Sequence, residues 1–354
     1  MSTINSVGIA DLPFNFNQQE IKDFARTLFS SKRKDIDKMI TVFDNAMILN
    51  RHFVHPRDWF DNDKSFVERS DSFLVNARSF SIKAVNNCMD IANAEINDID
   101  HIIFVSSTGV ATPTIDALLI NDLKLNNNIK RTPIWGLGCV GGAIGISRAY
   151  EYTKAYPDKA VLLVAVEFCS LAFQKDDFSK SNIVAVALFS DGVAASLITG
   201  EEHRLSPNSR IKVLDTLTTT YYDSLDVMGW EVVENGFKAI FSKDIPNIVR
   251  NNVRDSIDQL VKKNNLKIED LKHFIAHPGG QKVLNEYEKS LGLTNGSFKY
   301  SRKVLEEHGN MSSVTVLYVL KEFIEDGEYK PGEYGIITAL GPGFSSELLL
   351  FQIV

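Results

Sequence analysis

In Trp135-Gly-Leu-Gly-Cys139-Val-Gly-Gly, a thiol stands where a strand pattern ends and a helix pattern begins. A cysteine at a helix N-terminus feels the positive end of the dipole. That can draw its pKa from about 8.5 to roughly 3.5–7.5 and supply a thiolate at neutral pH. The flanking glycines permit a tight turn and the close approach of a ligand or of another backbone. The same pattern also suits an inert cysteine packed under glycines. A second element, Phe274-Ile-Ala-His277-Pro-Gly-Gly280, puts an imidazole at the carboxyl end of an apolar strand. Reactive groups of α/β proteins stand at such ends, although a histidine that merely closes the strand is the plainer reading. The third, Glu307-His-Gly-Asn310-Met-Ser312-Ser, offers a carboxamide that would otherwise be an ordinary helix cap. A fourth, Gly341-Pro342-Gly343, is a rigid turn whose backbone N–H groups could face a developing oxyanion. Cys88 falls on an apolar helix face and reads as core, while Cys169 follows a buried strand pattern. His52, His55 and His203 lie among polar or loop residues, His101 and His273 precede strands, and His308 is a neighbour of Gly309.

Elements must hold these groups in place. Apolar residues recur at helical spacing over Gln18–Phe29, Lys34–Leu49, Ser79–Ala94 and Ala143–Tyr156. Short β-branched runs at Ile102–Val105, Arg131–Trp135, Val161–Glu167 and Val193–Thr199 read as strands, most of them buried. Helices alternating with buried strands define a layered α/β protein. The chain also repeats itself. Ile96-Asn-Asp98-Ile99-Asp-His101-Ile-Ile returns 172 residues later as Ile268-Glu-Asp270-Leu271-Lys-His273-Phe-Ile. Cys139 precedes Asn310 by 171 residues, each opening a helix pattern, and Ala187-Leu188 before Gly192 parallels Ala339-Leu340 before Gly343. Three pairs in one order predict a duplicated α/β unit whose equivalent loops surround one site. The expected halves are residues 1–203, carrying the cysteine, and 204–354, carrying the histidine and the asparagine, with the boundary in the polar stretch Gly200–Arg210.

Composition narrows the class. The 354 residues carry a net charge of -7, which argues against a nucleic-acid surface or a membrane face. Met1–Phe14 lacks the cationic start and apolar run of a secretory signal, and no stretch approaches the ~20 apolar residues of a membrane helix. Three cysteines exclude a disulfide scaffold and fit a reducing cytoplasm.

In the order and spacing of these motifs the sequence resembles the type III polyketide synthases (the chalcone synthase group) of the thiolase superfamily, over nearly its whole length. Further matches are Phe43-Asp44-Asn45 with Arg51, Ser107-Thr-Gly109, Leu188-Phe189-Ser-Asp-Gly192 and Lys243-Asp-Ile-Pro246. The resemblance implies a thiolase-like, duplicated five-layer α-β-α-β-α fold and a homodimer. It implies acyl-CoA and malonyl-CoA as substrates, with no resident cofactor and no metal. Cys139 would carry the growing acyl chain, and His277 and Asn310 would hold the malonyl thioester during decarboxylation. Phe189 would be the gatekeeper between CoA tunnel and cavity. Ser107, Thr112, Ala239, Gly280, Ser312 and Gly341-Pro342-Gly343 would contact substrate, and Lys38 and Arg51 would contact CoA.

The chain also departs from the family. A second aromatic gatekeeper of the plant enzymes falls at Ala239, which should widen the cavity or open a tunnel for long or bulky starters unless Phe241 swings in. Two basic CoA contacts read Thr41 and Asn45, and Arg51 or Lys32-Arg33-Lys34 would have to compensate. The expected reaction is iterative decarboxylative condensation of malonyl-CoA onto a starter acyl-CoA, closing to a pyrone or resorcinol-type ring. The rivals are an initiating ketoacyl-carrier-protein synthase, which usually shows His-Gln-Ala-Asn at the histidine motif, a hydroxymethylglutaryl-CoA synthase, a papain-type hydrolase and a catalytically idle acyl-CoA-binding subunit.

Overall fold

The computed structural model describes residues 1–354 except Lys243, Asp244 and Asn295, so the first half of the Lys243-Asp-Ile-Pro246 match lies outside the described residues. Nine strands form one hydrogen-bonded sheet with two wings. In the first wing the order is Lys130–Trp135, His101–Ser106, Ala160–Phe168, Asp191–Gly200 and Ser2–Ile9. In the second it is Leu271–Ala276, Tyr334–Gly341, Ser345–Ile353 and Ile211–Thr220. A short ladder, Ser2 to Ile4 against Ile211 to Val213, joins them.

Three apolar cores set the layers. The helices Gly141–Ala155 and Thr315–Asp326 lie between the wings, packed on strands of both. Their opening turns, Gly141–Ser147 and Thr315–Leu320, are buried on every side and carry no charge, and charged residues begin only beyond them. Phe66–Ala92 and Ile115–Leu123 cover the outside of the first wing. Ile245–Lys263 and Gln281–Leu291 cover the outside of the second. The stack is therefore helix, sheet, helix, sheet, helix, duplicated as expected.

The repeat pairs hold unequally. Ile96–Asp98 and Ile268–Asp270 are both 3-10 turns feeding buried strands. Cys139 and Asn310 both lie just ahead of a central helix. The third pair differs, because Ala187-Leu188 ends the helix Lys180–Leu188 whereas Ala339-Leu340 ends a strand.

Two expected helices need correction. Lys34–Leu49 is not continuous: it breaks into Ile36–Met39 and Thr41–Asn45. Asp35 gives its carboxylate to both nitrogens of the Arg33 fork instead of capping, and Met47 takes a left-handed φ of 57°. Ile36, Ile40 and Phe43 still bury one face. The helix expected from Ser79 begins thirteen residues earlier at Phe66, where Ser65 and Glu68 form a reciprocal capping box.

Candidate active site

Glycines let the two halves touch at the cysteine. A Cβ on Gly142 would lie 2.1 Å from the backbone oxygen of Ser313, so the other half's backbone occupies that space. The Gly341-Pro342-Gly343 turn completes the clasp: Gly341 packs on the backbone around Leu137 and Val140, and the Pro342 ring sits on Gly138. Ser107 Oγ accepts from the Gly138 N–H at 2.7 Å and fixes the turn before the nucleophile.

Asn310 lies between segments that carry the other two reactive groups. Its side chain and that of Ser312 are close enough to the Cys139 sulfur to favour the thiolate. Its Nδ2 donates to the Gly279 carbonyl at 3.4 Å, two residues beyond His277. Its Oδ1 accepts from the Ser312 N–H at 2.8 Å, and Ser312 holds a left-handed φ of 51°. Strain of this kind persists only where surroundings over-determine it. The main chain of Asn310 is pinned as well, bridging in parallel to Phe189 and bonding Leu188 and Ser190 on either side. His277 continues the strand into the chamber through its N–H bond to Thr338. Both ring nitrogens are buried with no partner among the described residues, as suits a ring waiting for substrate.

The electrostatics correct one expectation. A thiolate was expected at neutral pH, but burial pushes the Cys139 thiol up to about 12, and the Glu167 charge adds to the rise. The Ser312 and Asn310 hydrogen bonds only partly offset this. Burial also pushes the His277 imidazole down to about 3. Burial thus favours the neutral form of both groups.

Sequence reasoning missed Glu167. This buried carboxyl accepts from the Ser107 N–H at 3.0 Å, Thr108 Oγ1 at 2.9 Å and Ser313 Oγ at 2.6 Å, so it ties both halves together behind the cysteine. Burial lifts it to about 7. An acid ending an otherwise apolar strand was the available signal.

The remaining expected contacts scatter. Gly280 is buried at the start of the helix Gln281–Leu291, facing Leu188. Thr112 is exposed, before the cis peptide to Pro113, and is not among the residues lining the cavity beside Phe189. Lys38 is exposed on its short helix. Arg51 is not a surface phosphate contact: it is 1 % exposed and donates to the carbonyls of Val186 and Phe189. Cys169 lines a cavity, whereas Cys88 is core, its thiol pushed up to about 11 by burial.

That cavity, about 490 Å³, reaches from Phe189, Cys169 and Ala239 to the helix Gln18–Ser30. Ala239 stands directly across the hairpin ladder from Trp230, which also lines the cavity and packs on Phe189 with ring centroids 6.1 Å apart. Phe241 packs on the same Phe189 at 5.5 Å but does not line the cavity. Among the described residues, no three His, Cys, Asp or Glu side chains gather to hold a metal ion, and no helix is long and apolar enough to cross a membrane.

Residues 4–202 match the family of chalcone and stilbene synthases, N-terminal domain, and residues 217–354 its C-terminal domain. The chain is 42% identical to a putative chalcone synthase of Bacillus subtilis (strain 168), covering 99% of each. It is 31% identical to the 1,3,6,8-tetrahydroxynaphthalene synthase of Streptomyces peucetius subsp. caesius, covering 99% of this chain and 93% of that one. It superimposes on the crystal structure of the corresponding type III polyketide synthase of Streptomyces coelicolor A3(2) with a TM-score of 0.93 and 26% identity, over 99% of each chain. The chain belongs to the chalcone and stilbene synthase family and is a type III polyketide synthase, an acyltransferase that forms carbon–carbon bonds.

Proposed function

We propose that this synthase loads a long-chain or bulky acyl group from CoA onto Cys139, extends it with malonyl-CoA, and releases an alkylpyrone or a resorcinol-type product. The carrying observation is the largely apolar cavity lined by Ala239 and Phe189, the latter bridged through its main chain to Asn310. Such a volume lies in the range that holds a drug-sized or acyl ligand.

The steps follow from the groups present. Neutral His277 takes the Cys139 proton as sulfur attacks the starter thioester. CoA leaves as its thiol once that proton is returned. Malonyl-CoA then loses CO2, and the electron pair stays on the thioester as an enolate. The N–H groups of His277 and Asn310 stabilise its oxygen. Enolate carbon attacks the Cys139 acyl group and expels the thiolate, giving a chain two carbons longer on CoA, which returns to the cysteine for the next round. CoA thioesters are thus substrates rather than resident cofactors.

Lys38 is the surface cation we assign to CoA phosphate. We also propose a homodimer built on the edge strand Lys130–Trp135, whose Trp135 is 52 % exposed, working in the cytoplasm.

Radiolabelled malonyl-CoA with acyl-CoA starters of increasing length, products identified by mass, tests the reading. Multiply extended products from long starters are expected. Turnover of short aromatic starters alone would defeat the starter assignment, and single condensations would favour the ketoacyl-carrier-protein synthase alternative.

A further inference from the structure

The hairpin that carries Trp230 and Ala239 stands apart from the nine-stranded sheet. Its strands, Met228–Val233 and Gly236–Phe241, form a two-stranded sheet of their own. Two strands alone are marginally stable in water, so what anchors them decides where their side chains stand. Phe237 supplies an apolar anchor, with ring centroids 5.5 Å from Phe66 and 6.1 Å from Trp135. Apolar contact is non-directional and leaves the hairpin free to slide along the face it covers. A hydrogen bond removes that freedom.

Gln174 makes such a bond. It is 8 % exposed, and its Nε2 donates to the Phe237 carbonyl at 3.1 Å. Phe237 lies two residues before Ala239, on the same face of the strand. Gln174 is itself held from two sides. Its main-chain carbonyl accepts from Asn182 Nδ2 at 2.7 Å, and Asn182 is buried on the helix Lys180–Leu188 that leads into Phe189. Just ahead of Gln174, Arg69 Nη1 donates to the Leu171 and Phe173 carbonyls at 2.6 and 2.7 Å. This clamped segment lines the 490 Å³ cavity through Cys169, Ala172 and Phe173, and the hairpin lines it through Trp230 and Ala239. A buried carbonyl is costly to leave without its donor, so the bond at Phe237 sets the separation of these two walls.

We propose that Gln174 is a positioning residue for starter specificity: its amide holds the hairpin at the separation from Phe189 that keeps the cavity open to a long acyl tail. The effect on starters rests on the starter reading above; the effect on the cavity does not.

Two variants of the full-length protein cut the bond in different ways. Gln174→Met keeps the length and has no donor, whereas Gln174→Asn keeps the amide and lacks the reach. In each, the ratio of kcat/KM for dodecanoyl-CoA to that for acetyl-CoA is expected to fall at least about tenfold, the scale of one buried hydrogen bond. The loss should lie in KM for the long starter, while kcat and starter-free malonyl-CoA decarboxylation stay within about twofold. A ratio unmoved in either folded variant overturns the proposal, as do equal losses for both starters. So does failure of both variants to fold, which would make Gln174 a residue of the fold and not of the filter. Calorimetry with 1-dodecanol reads the cavity without turnover, and both variants should bind it at least about fivefold more weakly than the wild-type protein. Unchanged affinity overturns the proposal. A wild-type protein that binds the alcohol, loses that affinity in the variants and turns over no long starter would instead refute the starter reading alone.

Discussion

A single carboxamide carries two duties at Asn310: its oxygen fixes strained Ser312, and its nitrogen is the donor offered to the chamber. Asn310→Asp separates them, because a carboxylate still accepts from the Ser312 N–H but repels a developing enolate. We expect malonyl-CoA decarboxylation to fall about 100- to 1000-fold while the variant stays folded. Near-normal decarboxylation would remove Asn310 from the reaction. Glu167 poses the complementary electrostatic question. With its pKa lifted to about 7, it gains a negative charge near neutrality, and that charge opposes ionisation of the Cys139 thiol. Glu167→Gln should therefore move the pH profile of Cys139 alkylation by iodoacetamide to lower pH, read by peptide mass spectrometry. A profile that stays put or moves upward would show that the carboxyl does not act on the sulfur. Cys139, His277 and Asn310 were each legible because glycine or proline marks a special turn beside them. The burial of Arg51 was not, since nothing local distinguishes a buried charge from a solvated one, and Glu167 was marked only by its place at the end of an apolar strand, the partners of both coming from distant segments.

The hairpin of Met228–Val233 and Gly236–Phe241 governs the cavity as an element, because adjacent ladder positions decide what stands opposite what. The sequence pointed to the small residue at 239. It gave no sign that Trp230 faces it, since pairing register depends on a turn whose sequence, Glu234-Asn235, fits several turn types. Trp230 already supplies one large ring against Phe189, so a second ring at 239 should block the way past it. Ala239→Phe is expected to cut kcat/KM for dodecanoyl-CoA by at least about tenfold and to spare acetyl-CoA, since overpacking a filled wall excludes bulk beyond it. Equal losses for both starters would mean that the hairpin had shifted and that the residue is no length filter. Helix spacing was similarly a guide to faces rather than to ends. Ile36, Ile40 and Phe43 bury the stripe their periodicity foretold, yet capping and a left-handed Met47 decide that no single helix spans it.

At the scale of the molecule, the duplicated stack was legible because alternation of buried strands and helices, repeated at one offset, has few other solutions. What that pattern conceals is the cost of closing two halves over a polar site. Glu167 and Asp191 are both fully buried, and burial raises each from its ordinary carboxyl value to about 7. A folded protein that holds those protons more tightly than the unfolded chain gains stability from them below about pH 4, and loses it as pH rises through about 7. A salt-bridged acid acts in the opposite sense: Arg250 and Lys289 hold Glu286 down at about 2, a contribution present above its ordinary value and lost toward strong acid. Between about pH 5 and 8 only the buried pair still titrates among these three. Burial of His101, His277 and His308 lowers each imidazole and acts in the opposite sense over the same range, so the carboxyl is read from a difference between two proteins. The melting temperature of the wild-type protein minus that of a Glu167→Gln variant, which cannot ionise, should fall as pH rises from about 5.5 to about 8. A difference that stays constant, or grows toward pH 8, would show that the carboxyl joining the two halves is ionised throughout and that closure over the site carries no such proton.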